Sequence, residues 1–331
     1  MASDKAKKKC CYSGIGGQAV LEGIMMKKGD EYAVAVRKPD GGIASTKNRF
    51  PGICPGLVLK EIPFVRGIFQ FIDSLTLGMR TLNWSASFYD EEEERDQRYA
   101  ENPRAEKKSS GKALEIFSTM LGIGMALLLF VFLPTFLTNL IPQVAGNPGL
   151  RAVIEGIIRI CIFLLYLAVI GTMKDIRRLY GYHGAEHKCI NCIESGHELT
   201  VDNVMRSSRF HRRCGTSFII LVMLISVVIF FFIHVESVPL RLLIRILMIP
   251  VIAGISYEVL RLAGRYDNLL IRIISAPGIL VQHLTTREPD REMAEVAINA
   301  VEQVFDWRAY LEENFTSGRS ESGSAMTETG R

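Results

Sequence analysis

The chain has 331 residues, 48% apolar and 22% charged, with a net charge of +4. Such averages suit a soluble protein of two domains, and so small a basic excess indicates no nucleic-acid partner. The distribution is uneven: residues 116–150, 35 in all, and 214–235, another 22, contain no Asp, Glu, Lys or Arg. About 20 apolar residues cross the roughly 30 Å hydrocarbon core of a bilayer. Both stretches therefore read as spans, and an ordinary soluble enzyme is not the expectation.

The first 20 residues carry a basic run from Lys5 to Lys9 and no apolar core before Gly14, unlike a signal peptide. Residues 1–60 are expected to form a small β-rich cytosolic unit. Segments 18–26 (QAVLEGIMM) and 32–38 (YAVAVRK) have strand character, and Pro39-Asp40-Gly41-Gly42 turns the chain into a third strand at Ile43. Gly14-Ile15-Gly16-Gly17 lacks the strand–turn–helix context of a phosphate loop and reads as a tight turn.

Residues 61–89 are expected to form an amphipathic interfacial helix. Arg66, Asp73 and Arg80 recur every seven residues on one side, opposite Val65, Ile68, Phe69, Ile72, Leu75, Met79 and Leu82. Residues 90–112 (DEEEERDQRYAENPRAEKKSSGK) read as a solvated charged linker. Four spans follow within 113–265, at 116–141, 150–173, 216–235 and 240–260, with Pro134 bending the first. The connections 142–149 and 236–240 hold no Lys or Arg, whereas the loop 174–213 holds eight. The positive-inside rule then places that loop and both termini in the cytosol.

Residues 266–289 suggest an interfacial hairpin broken at Ala276-Pro277-Gly278. Residues 290–315 suggest an amphipathic cytosolic helix with Met293, Val296, Ala297, Ala300, Val301, Val304 and Phe305 on one face. The tail 316–331 reads as disordered. The fold expected is an α-helical multi-pass membrane protein of about four transmembrane helices, with the β-rich unit at its amino terminus and the lipid bilayer as its first partner.

Chemistry concentrates in the cytosolic loop, where residues 183–214 hold four of the six histidines and three of the seven cysteines. His183-Gly184-Ala185-Glu186-His187 has the H-x-x-E-H spacing, which on a helix lets both imidazoles share a divalent metal, expected to be zinc. Glu186 would then serve as general base, and Glu194, seven residues beyond His187, as a third ligand. A second grouping competes: Cys189-x-x-Cys192 and His211-x-x-Cys214 have the spacing of a structural zinc site, or are simply reduced thiols. Cys161, inside an apolar run, reads as an inert core thiol. Within the spans, Glu155, Arg159 and Arg245 are expected to form an ion pair rather than a proton pathway.

The stretch 182–188 (YHGAEHK) resembles the YqhQ-like bacterial membrane proteins, a family of unknown function once labelled "predicted metal-dependent enzyme". The resemblance extends over about residues 12–305, through 17–23 (GQAVLEG), 35–41 (AVRKPDG), 63–67 (PFVRG), 211–218 (HRRCGTSF), 253–258 (AGISYE) and 284–289 (LTTREP). It implies the bacterial cytoplasmic membrane as location. It also implies a site built from His183 and His187 with His211 or Cys214, with Glu186 as base and with Glu194, but not Cys189 and Cys192, in the pattern. Two functions lead, a membrane-embedded zinc-dependent hydrolase and a non-enzymatic assembly or scaffold protein that binds membrane or cytosolic partners; a transporter is third, four spans with one ion pair being few for it.

Overall fold

Alternating apolar residues and tight turns fold residues 15–49 into a four-stranded antiparallel meander. The computed structural model describes residues 12–101, 111–144, 146–233, 235, 237–266 and 268–316. The strands are β1 (Ile15–Val20), β2 (Gly23–Lys28), β3 (Glu31–Arg37) and β4 (Ile43–Arg49), hydrogen-bonded in chain order. The single strand expected over 18–26 is instead a hairpin, because Val20 pairs with Gly23 and Glu22 takes a φ of 47°. Such turns normally announce themselves with Gly or Asn. Here Glu22 is held by its own side chain, whose carboxylate accepts from Arg178 and from the Tyr182 hydroxyl.

Side chains alternate across a sheet, and each face has its own helices. Ile24, Met26, Ala33 and Ala35 pack against α5 (Lys174–Glu194) and α10 (Arg291–Val304). Met25, Tyr32, Val34 and Val36 pack with Leu77, Trp84 and Phe88 of α1 (Val65–Glu101). The unit expected over 1–60 thus extends well beyond those residues, since a meander this small cannot bury enough apolar surface alone. α10 buries Met293, Val296, Ala297, Ala300, Val301 and Val304, and leads to α11 (Trp307–Leu311). The expected disordered tail lies outside the described residues beyond Thr316.

Among the described residues, four helices are long and apolar enough to cross a membrane: Phe117–Asn139, Pro148–Ile170, Gly215–Phe232 and Val238–Ala263. The first comprises α2 (Gly111–Leu127), a π-helical turn at Leu128–Phe132 and α3 (Leu133–Asn139). The others are α4 (Pro148–Ile170), α7 (Gly215–Phe232) and α8 (Val238–Arg265). Pro134 has no N–H to offer the Phe130 carbonyl, and Arg159 Nε donates to that oxygen instead at 2.9 Å. The fold is α-helical and multi-pass, with the small sheet beside the bundle. Cys161 is exposed on α4 rather than in a core, as an apolar position facing lipid would be.

Two expectations are corrected. The hairpin over 266–289 is one continuous helix, α9 (Leu269–Thr285), which passes through Pro277. It packs closely on α7: Gly278 lies directly against Ser217, and Gln282 Nε2 donates to Ser217 Oγ at 3.0 Å. The linker expected over 90–112 begins as helix, because α1 continues to Glu101; residues 102–110 lie outside the described residues.

α1 also faces the opposite way from an ordinary amphipathic helix. Asp73 is buried, accepting from the Ile53 N–H at 2.8 Å and from Lys60 Nζ at 3.2 Å. Arg66 forms a forked pair with Glu258 of α8. Ile72, Leu75, Met79 and Leu82 are exposed.

Candidate metal centre

α5 follows the second span after a short turn and is helical throughout, despite Gly181 and Gly184. Gly184 is there for space: a Cβ at this position would collide with the carbonyl oxygen of Arg287. That close approach brings the end of α9 onto α5, and with it the backbone that orients the histidines. His183 Nδ1 donates to the Thr285 carbonyl at 2.9 Å, and His187 Nδ1 to the Arg209 carbonyl at 2.6 Å. A carbonyl only accepts, so each contact places a proton on Nδ1 and leaves Nε2 as the ring atom that faces the sulfur. This is the outer-shell arrangement that metal-binding histidines use.

The residue both rings face is Cys214, which caps the start of α7 with its sulfur accepting from the Thr216 N–H at 3.4 Å. His183 Nε2 lies 3.0 Å from Cys214 Sγ. One donor atom from each of His183, His187 and Cys214 falls within a 4.8 Å group. Tetrahedral Zn–N and Zn–S bonds would hold nitrogen and sulfur about 3.6 Å apart. Two imidazoles oriented through Nδ1 and a thiol form a donor set whose spacing would suit a zinc ion.

Burial opposes charge on both His183 and Cys214, yet their proximity outweighs it. The facing Cys214 sulfur, with Glu186 and the Thr285 carbonyl, carries the His183 pKa up to about 9. The two histidines hold the Cys214 thiol well below its ordinary value. Glu186 is buried beside them, and burial raises its carboxyl while the imidazoles pull it back down. The Gly17 N–H donates to that carboxylate. Gly17 allows the approach, since a Cβ there would meet the Met25 carbonyl at 2.6 Å, Met26 Sδ at 2.8 Å and Glu186 Cδ at 3.0 Å.

Glu194 and His211 stand one layer back. Glu194 accepts from the Ser13 N–H at 3.0 Å, from Ser13 Oγ at 2.8 Å and from Arg213. Burial pushes its pKa up, but His211, Arg213 and Ser13 pull it down to about 2. Its carboxylate sits 3.9 Å from His211 Nε2, and the His211 ring is 5.6 Å from that of His187. Gln282 locks His211 by accepting from its N–H at 2.9 Å and donating to its carbonyl at 2.7 Å. Burial lowers the His211 pKa.

Cys189 and Cys192 lie instead in the apolar core between α5 and α10, where burial raises both thiols. The alternative grouping of Cys189 and Cys192 with His211 and Cys214 is therefore not assembled. Gly17, Ser13, Gln282 and the carbonyls of Arg209 and Thr285 carry no titratable signature in the sequence, and Arg213 reads there only as one of the eight basic residues of the loop. The segments holding Gly17, Arg213 and Thr285 are among those that carry the family resemblance.

The fold and this group define a multi-pass membrane protein with a His/His/Cys cluster, buried at His187 and Cys214 and half-buried at His183, where its helices meet a mixed α/β unit. The chain belongs to the family described as "Protein of unknown function (DUF1385)", whose profile matches residues 62–307. It is 33% identical over 303 residues to "Uncharacterized protein YqhQ" of Bacillus subtilis (strain 168), covering 90% of this chain and 94% of that protein. No solved structure matches it.

Proposed function

We propose that the chain is a zinc-dependent hydrolase of the bacterial cytoplasmic membrane, working at the cytosolic face with His183, His187 and Cys214 as metal ligands. The observation that carries this reading is the pair of Nδ1–H contacts to backbone carbonyls, which aim both Nε2 atoms at one sulfur. When bound, zinc supplies Lewis acidity that makes hydrolysis feasible near neutral pH. Glu186, held by the Gly17 N–H in a desolvated setting, takes the proton from the attacking water and returns it to the leaving group. His211 and Glu194 position the wall behind His187. The excess of Lys and Arg in 174–213 supports the cytosolic orientation of the site and of both termini.

The test is elemental analysis of the detergent-purified protein. About one zinc per chain, lost in His183→Ala/His187→Ala and kept in Cys189→Ser/Cys192→Ser, supports the proposal. Glu186→Gln keeps the metal and abolishes function; retained function in that variant removes the catalytic role.

A second reading has one specific observation behind it: Cys214 sits at a helix start, 3.0 Å from His183 Nε2, as a cysteine nucleophile would. Under that reading no metal co-purifies, and Cys214 is alkylated by iodoacetamide at pH 6 faster than Cys54. Zinc that protects Cys214 from alkylation speaks for the metal site instead.

A further inference from the structure

The opposite end of the bundle holds a second concentration of charge. Glu155, buried on α4, accepts from Arg159 Nη2 at 3.1 Å, from the Thr135 hydroxyl at 3.1 Å and from Arg245 of α8. Arg151, one turn before Glu155, donates to Asn139 at the end of α3 and lies within electrostatic range of Arg241 and Arg245. Two arginines, Arg159 and Arg245, meet the one carboxylate, and Arg151 adds a third guanidinium one helical turn away, so cations outnumber the carboxylate here. Arg151 Nε and Arg245 Nε are buried and find no partner among the described residues. A buried guanidinium N–H left without an acceptor is costly, and an anion seated beside it removes that cost.

Directly beside these groups runs an apolar groove of about 540 Å³ between the first span and α8. Leu128, Phe132, Phe136 and Leu242 line it, and its polar end is formed by Thr135 and Asn139. Those two residues are the hydrogen-bond partners of Arg245 and Arg151 respectively. The groove lining on the first span runs from Met125 to Asn139, about 21 Å at helical rise. That is roughly the depth of one leaflet of hydrocarbon with part of its headgroup layer.

We propose that this groove is a binding site for an anionic phospholipid of the leaflet opposite the His/Cys cluster. An acyl chain lies along the Leu128, Phe132 and Phe136 side chains, and the lipid phosphate meets Arg151 and Arg245. A neutral lipid satisfies only the apolar half of this arrangement, and a free phosphate only the charged half. The site is independent of the metal reading and survives its failure.

The experiment is native mass spectrometry of the full chain in mild detergent, titrated in turn with phosphatidylglycerol, phosphatidylcholine and inorganic phosphate. The expected result is a one-lipid adduct with phosphatidylglycerol and none at equal concentration with the other two. Arg151 is bonded only at the periphery, so Arg151→Gln keeps the fold and weakens the adduct about fivefold, the value of one arginine near an anionic surface. Phe136→Ser weakens it through the chain-binding half. Equal adducts with both lipids, adducts unaffected by Arg151→Gln, or an equal response to inorganic phosphate each overturn the proposal. So does a dimer that dissociates in Phe136→Arg, because a second copy would then fill the groove.

Discussion

His183 and Cys214 stand 31 residues apart in the chain and 3.0 Å apart in space, Nε2 to Sγ. Helix α5 supplies one and the cap of α7 the other, so the span and the mixed unit must be correctly docked before the pair exists. Removal of the sulfur leaves two imidazoles, an incomplete set for zinc. Cys214→Ser is expected to lower zinc affinity at least about tenfold, measured by competition with a chelator of known affinity. Cys192→Ser, altering a thiol that contacts the His197 and Glu198 carbonyls, leaves it unchanged.

Gly17 and Gly16 offer a matched pair. A methyl group at Gly17 would strike Met25, Met26 and Glu186, whereas at Gly16 nothing lies within 4 Å. Overpacking of this kind costs about 1–3 kcal/mol. Gly17→Ala is therefore expected to lower the thermal midpoint by several degrees and to abolish function while zinc remains bound. Gly16→Ala should match the wild type in both. Equal midpoints for the two variants would mean that β1 does not press on the site.

Much of the architecture is legible in the sequence for simple reasons. Charge-free stretches of span length admit few other readings, and the H-x-x-E-H spacing needs only one helix turn to bring His183 and His187 together. Cys214 is harder, since four cysteine and histidine positions compete by spacing and only the docking of α9 onto Gly184 decides between them. Glu194 keeps the helical register that suggests a ligand, but Ser13 and Arg213 occupy it, and both come from elsewhere in the chain. The Glu22 turn and the unbroken α9 are invisible locally, because tertiary partners, Arg178 in one case and Ser217 in the other, offset an unfavourable local choice.

The Glu194 carboxyl gives a pH dependence with a definite sign. Its pKa falls from 4.5 to about 2 on folding, so the native state binds the proton more weakly than the unfolded chain does. The corresponding stabilisation is complete above the unfolded value and disappears as pH drops through the native one. It amounts to roughly 3 kcal/mol at most. Thermal unfolding of the wild type in detergent should weaken between pH 4.5 and 2. Glu194→Gln should be less stable than wild type at pH 7 and should lose this part of the acid response. An unchanged acid profile in that variant would show that Ser13 and Arg213 do not lock the amino-terminal strand to α5.

α1 makes a prediction about the membrane itself. Its buried side carries Asp73, Leu77, Thr81 and Ser85, and its exposed side Ile72, Leu75, Met79 and Leu82. A helix that buries an aspartate and exposes four large apolar residues is expected to meet another apolar medium on its open side. Single cysteines at Leu75 and Met79, labelled with a fluorophore in reconstituted vesicles, should be quenched by lipids carrying a spin label near the headgroup. A label at exposed Lys47 on β4 should not be quenched. Asp73→Ala, which strands the Ile53 N–H and Lys60, should cost about 1–3 kcal/mol. Water-soluble quenchers reaching Leu75 and Lys47 equally would place α1 away from the bilayer.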